Sequence, residues 1–131
     1  LTHITSSTRP DPDLYRLSVD QALADGKPLV VVFATPAFCV SATCGPQVEV
    51  LSAVKDKFGD KANFIHVEVF KDPHLIQGSR PPADSTVPSV EEWNLPTEPW
   101  TFVMDNEGKI SAKFEQFTTE EEIEAALNEL F

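Results

Sequence analysis

The stretch Leu29-Val30-Val31-Val32-Phe33-Ala34, running into Thr35-Pro36-Ala37-Phe38-Cys39-Val40-Ser41-Ala42-Thr43-Cys44-Gly45-Pro46, decides the fold. Six apolar residues in an unbroken row predict a strand covered on both faces, as in a partly parallel sheet. The following turn leads into a helix, with Pro46 suited to its first turn. Val50, Leu51, Val54 and Phe58 recur at helical spacing, and Gly59 closes the helix. Asn63 to Phe70 reads as a second strand, with Ile65, Val67 and Val69 on one face and His66 and Glu68 on the other. Together these segments make one β-α-β unit.

Outward from that unit, Ser18 with Gln21 predicts a capping box for a short helix ended by Gly26. Residues Leu1 to Asp13 carry Thr, Ser, Pro and Asp without apolar period and are expected to form a flexible or loosely docked leader. Lys71 to Glu98 is rich in proline and reads as a long loop with at most a short helix over Pro88 to Trp93. Trp100 to Met104 and Lys109 to Phe114 read as strands of a hairpin turned by Asp105-Asn106-Glu107-Gly108. Thr118 with Glu121 is expected to cap a last helix buried through Ile123, Ala126, Leu127 and Leu130. The expected fold is α/β: one domain over residues 14–131, a central mixed sheet of four strands, or five, and helices on both faces.

The chain has 131 residues and 41% hydrophobic content, enough for one domain that buries roughly two-thirds of its unfolded surface without metals or many disulfides. A net charge of −11 without a basic cluster argues against nucleic acid and anionic membrane as partners. No run approaches the roughly 20 apolar residues that cross a bilayer. Because Leu1 is not an initiator methionine, membrane attachment is expected only through an N-terminal anchor outside this chain.

The chemistry rests on Cys39 and Cys44, at the carboxyl end of a central strand, where open α/β sheets place their reactive crevice. A thiol at a helix N-terminus meets unpaired N–H groups and the positive end of the dipole, which favour thiolate. Residues i and i+5 of a regular helix are offset by roughly 7.5 Å along the axis, so the two sulfurs bond only if Cys39 lies in the turn. Attack by Cys39 and resolution by Cys44 is the favoured order, although Cys44 stands nearer the helix dipole. A static disulfide and a pair of core thiols are the plainer readings.

In its order of elements, in Val30-Val31-Val32-Phe33-Ala34-Thr35 before the cysteines, and in Glu98-Pro99-Trp100-Thr101-Phe102-Val103-Met104-Asp105-Asn106-Glu107-Gly108-Lys109-Ile110, residues 14–131 resemble the thioredoxin-like superfamily. The stretch through Asp105 and Gly108 is most similar to extracytoplasmic thiol-disulfide oxidoreductases of the TlpA and ResA kind. That resemblance implies a cis Pro99 facing the cysteines, with Glu98, Pro99 and Trp100 binding substrate backbone. It also implies a protein disulfide or dithiol as partner, a role in redox homeostasis, no dissociable cofactor, an extracytoplasmic location and a monomer.

The sequence departs from the superfamily in having C-x4-C for C-x-x-C, Phe38 before Cys39 for tryptophan, and Phe33 where thioredoxins bury an aspartate. Glu49 is the candidate replacement base, although its place on the helix reads more simply as solvated. Two alternatives share the fold. A peroxiredoxin-like peroxidase would use Thr35 and Arg80, with Thr35 one residue out of register. A Sco-like copper chaperone would add His66 or His74 to the thiolates, yet no histidine stands in a ligand motif, and no metal site is expected.

Overall fold

A computed structural model describes residue 5 and residues 10–35, 44–69 and 99–131. The elements in chain order are a 3-10 turn at Pro12–Tyr15, α1 at Val19–Ala24, β1 at Leu29–Ala34, α2 at Cys44–Phe58 and a 3-10 turn at Gly59–Lys61. They are followed by β2 at Asn63–Glu68, β3 at Trp100–Met104, β4 at Ile110–Glu115 and α3 at Glu120–Asn128. The sheet order is β2-β1-β3-β4. β1 runs parallel to β2 and antiparallel to β3, and β4 pairs antiparallel with β3. Among the described residues the sheet therefore has four mixed strands, as the sequence suggests.

Every residue of β1 is fully buried because the strand is covered twice. Val30, Val32 and Ala34 pack with Cys44, Val48, Leu51 and Val54 of α2 and with Ile123 and Leu127 of α3. Leu29, Val31 and Phe33 pack on the other face with Ala22 of α1, Ile65, Phe102 and Met104. Each fully buried aliphatic side chain contributes about 1.5–3 kcal/mol, which explains why a row with no polar position is stable here.

Asp11 and Asp13, which fall in the expected leader, are tied to α2. Lys55 Nζ donates to Asp11 Oδ2 at 2.5 Å and Asp13 Oδ2 at 3.0 Å, and Ser52 Oγ also donates to Asp11. Burial alone would lower the Lys55 pKa, but hydrogen bonds to Asp11, Asp13 and Asp56 outweigh it and raise it. The clasp holds Leu14 inside the larger core cluster.

Four boundaries differ from expectation, the first being β2, which ends at Glu68, short of the expected Phe70. α2 starts at Cys44, two residues before Pro46, and β4 is shifted by one residue to Ile110–Glu115. The cap of α3 is Thr119 with Glu122, rather than Thr118 with Glu121. Thr118 cannot serve because its backbone is bound to Gln47 from α2. In the hairpin, Asp105 Oδ1 accepts from the N–H groups of Glu107 and Lys109, both at 2.9 Å, and Gly108 adopts φ +82°. A side chain at Gly108 would be strained by that φ and would stand 3.3 Å from Leu23. Among the described residues β4 is an edge strand, with Lys113 and Glu115 exposed and a register shift opposite Val103 and Met104.

Candidate active site

The carboxyl end of β1 brings together Cys44, Pro99 and Trp100. Cys44 opens the 15-residue helix α2, is fully buried and is disulfide-bonded. No acidic residue stands in the first turn of α2 to oppose the helix dipole. Phe33 faces Trp100 in the antiparallel register, so Pro99 comes to this same end. Pro99 is buried, and its carbonyl accepts from Gln116 N–H at 2.8 Å. Cys39, Glu98 and the Glu98–Pro99 peptide lie outside the described residues, as do Arg80, His74 and Trp93.

Trp100 behaves differently from its neighbour. Its indole stacks on Phe102 with ring centroids 5.8 Å apart and packs with the Phe33 cluster, on the sheet face away from Cys44. Any contact of Trp100 with a substrate at Cys44 therefore runs through its backbone. Glu49 is exposed on α2, so its carboxylate is not a buried base beside the sulfur.

Two polar groups at this end escape a local reading of the sequence. Gln47, one helical turn after Cys44, is fully buried. Its Nε2 donates to the Thr118 carbonyl at 3.1 Å and its Oε1 accepts from Thr118 N–H at 2.7 Å. Gln116, two residues earlier, holds a left-handed φ of +62°. A non-glycine residue pays roughly 1 kcal/mol or more for that conformation, so the surrounding contacts must hold it there. The signal for Gln47 was available in its spacing: positions 47, 51, 54 and 58 share one helical stripe.

The second group is built on His66, which is only 3% exposed. His66 Nε2 lies 2.8 Å from the Ala34 carbonyl, which can only accept, so Nε2 carries the proton. Nδ1 consequently accepts from Tyr15 O–H at 2.6 Å. Burial lowers the His66 pKa to about 4, despite the hydrogen bond to Ala34. Burial likewise pushes the Tyr15 hydroxyl up to about 12, helped by the Glu68 and Asp11 carboxylates and opposed by a hydrogen bond with Thr5. Glu68, opposite Ala34 in the register, is 4% exposed. With both ring nitrogens engaged, His66 has no lone pair to offer a copper ion in this arrangement. Among the described residues, no group of three His, Cys, Asp or Glu side chains is placed to hold a metal.

At the opposite end of β1 and β2 a depression of about 430 Å³ is lined by Arg16, Lys27, Lys55, Asp13, Asp56 and Asp60. Its charges largely answer one another, through Arg16 with Asp13 and Lys55 with Asp13 and Asp56. Among the described residues no helix is long and apolar enough to cross a membrane.

No protein-family model matches the chain, and no curated sequence matches it. Solved structures do. Chloroplastic thioredoxin z is 14% identical with a TM-score of 0.62, the match covering 87% of this chain and 90% of that one. The exposed lipoprotein thioredoxin of Streptococcus pneumoniae is 20% identical with a TM-score of 0.61, covering 87% and 96%. A thioredoxin of Schistosoma mansoni is 15% identical with a TM-score of 0.56, covering 80% of each. Sheet order, helices and these likenesses agree: the chain has a thioredoxin-like α/β fold.

Proposed function

We propose that this chain is a thiol-disulfide oxidoreductase acting on protein disulfides through Cys39 and Cys44, with Glu98, Pro99 and Trp100 as the edge that binds substrate backbone. The observation that carries the reading is a disulfide-bonded Cys44 at the first position of α2, at the end of the sheet where Pro99 also stands. Full burial of Cys44 suits the resolving thiol and leaves attack to Cys39.

In the reducing direction the Cys39 thiolate attacks one sulfur of a partner disulfide, forming a mixed disulfide and releasing the partner's other sulfur as a thiolate. Cys44, once deprotonated, attacks Cys39 Sγ. The intramolecular disulfide forms, and the second partner sulfur leaves as thiolate. Two electrons pass to the partner, whose sulfurs take up two protons. Reversal of the same steps oxidises a dithiol. An extracytoplasmic protein of the TlpA and ResA kind fits this chemistry, and the exposed lipoprotein thioredoxin among its structural neighbours supports that placement.

Burial of Cys44 also favours a second reading, a static staple. Insulin reduction driven by dithiothreitol separates the two. The unsubstituted chain is expected to accelerate it, and Cys44→Ala and Cys39→Ala to abolish the acceleration. A native disulfide that resists millimolar reductant and gives no acceleration would overturn the oxidoreductase reading.

A further inference from the structure

The polar contacts around Gln47 form a continuous path between the two halves of the site. Gln47 stands three residues after Cys44, so the sulfur-bearing turn and the carboxamide belong to the same rigid stretch of helix. The carboxamide grips both backbone groups of Thr118, at 3.1 Å and 2.7 Å. Two residues back, Gln116 donates to the carbonyl of Pro99 at 2.8 Å while held at φ +62°. Without that grip, a residue in a disfavoured conformation would relax, and the Pro99 carbonyl would lose its fixed donor.

We infer that Gln47 is a positioning residue of the redox site: it fixes the connection from β4 to α3, and through Gln116 sets where Pro99 stands relative to the Cys44 sulfur. The inference rests on the oxidoreductase reading and adds to it how the substrate edge is kept in register with the sulfur. Both polar ends of the Gln47 carboxamide are bonded to the Thr118 backbone. Its contribution is placement, and a displacement of about 1 Å at a reacting centre is enough to cost one to two orders of magnitude in rate. A small dithiol that attacks the disulfide without lying along Pro99 is insensitive to that placement. A peptide disulfide that pairs with the Pro99 edge is not.

The test compares Gln47→Met with the unsubstituted full chain on two substrates, dithiothreitol and a disulfide-linked peptide. The dithiothreitol rate should stay within about twofold while kcat/KM for the peptide falls about tenfold, chiefly through KM. Equal losses on both substrates, or no loss on the peptide, would overturn the assignment. Unsubstituted protein that exchanges with neither substrate removes the oxidoreductase reading, and this inference with it. Should Gln47→Met fail to fold, Gln47→Glu retains the acceptor for Thr118 N–H but loses the donor to its carbonyl, and an intermediate peptide rate is expected. Hydrogen exchange on the unsubstituted chain reads the grip directly. Thr118 and Gln116 N–H should be protected together, and exchange of either at the rate of an exposed amide would refute the linkage.

Discussion

Acidifying the protein should discharge a specific part of its stability through His66. The imidazole is buried with both nitrogens bonded, and its pKa is lowered from 6.5 to about 4. Below pH 6.5 the unfolded chain takes up a proton that the folded chain refuses, so stability is complete above that pH and drains away as pH falls toward 4. A tenfold change in proton affinity is worth about 1.4 kcal/mol, so the loss amounts to about 2 kcal/mol by pH 5 and about 3 kcal/mol by pH 4. Asp11, whose pKa burial would raise but hydrogen bonds from Lys55 and Ser52 lower, adds its own pH dependence, and a His66→Gln variant removes the confusion because that group is common to both proteins. The assay is urea unfolding followed by tryptophan emission at half-unit steps from pH 7 to pH 4. His66→Gln should start less stable and lose about 3 kcal/mol less over that range. Parallel curves for the two proteins, or a ring-proton resonance assigned to His66 that titrates near 6.5, would refute the assignment of a buried neutral imidazole.

Other consequences follow from the caps and the clasp. Thr119→Ala should cost about 1 kcal/mol of stability, since Thr119 Oγ1 accepts from Glu122 N–H at 3.2 Å. Thr118→Val should stay within about 1 kcal/mol of the unsubstituted chain, because the buried Thr118 hydroxyl has no partner among the described residues. Denaturant midpoints check both, and a reversed order would return the cap to Thr118. Lys55→Met keeps the aliphatic stem but removes the donor to Asp11 and Asp13 from a side chain only 15% exposed. It should lower stability by about 1–3 kcal/mol and speed proteolytic cleavage near Pro12, and an unchanged midpoint at low salt would show that the clasp contributes nothing.

Most of the frame was legible because its signals are local. The row from Leu29 to Ala34 became β1 residue for residue, and Ser18 with Gln21 formed its capping box. The last helix was placed but its cap was off by one, for a physical reason. Thr118-x-x-Glu121 and Thr119-x-x-Glu122 match the capping pattern equally, and only Gln47, 71 residues away in sequence, decides between them. The polar side of the site was hidden for the same reason. Nothing near His66 announces Tyr15, 51 residues earlier, and nothing near Gln47 announces the turn that it holds. Such pairings are chosen by the packing of distant segments, whereas turns and periodicities are written in a few consecutive residues. Trp100 illustrates the limit in the other direction. Its position beside Pro99 marks its backbone for a substrate edge, while alternation along β3 sends the indole to the far side of the sheet.

The outer rim of β4 bears on how the protein tolerates crowding with its own copies. An unguarded border of main-chain donors and acceptors is a template on which further ribbons can grow. Here an incoming ribbon would have to strip water from the ammonium of Lys113 and the carboxylate of Glu115, along a border already kinked by the irregularity beside Val103. Concentrated solutions should therefore stay clear of fibrillar growth from this side.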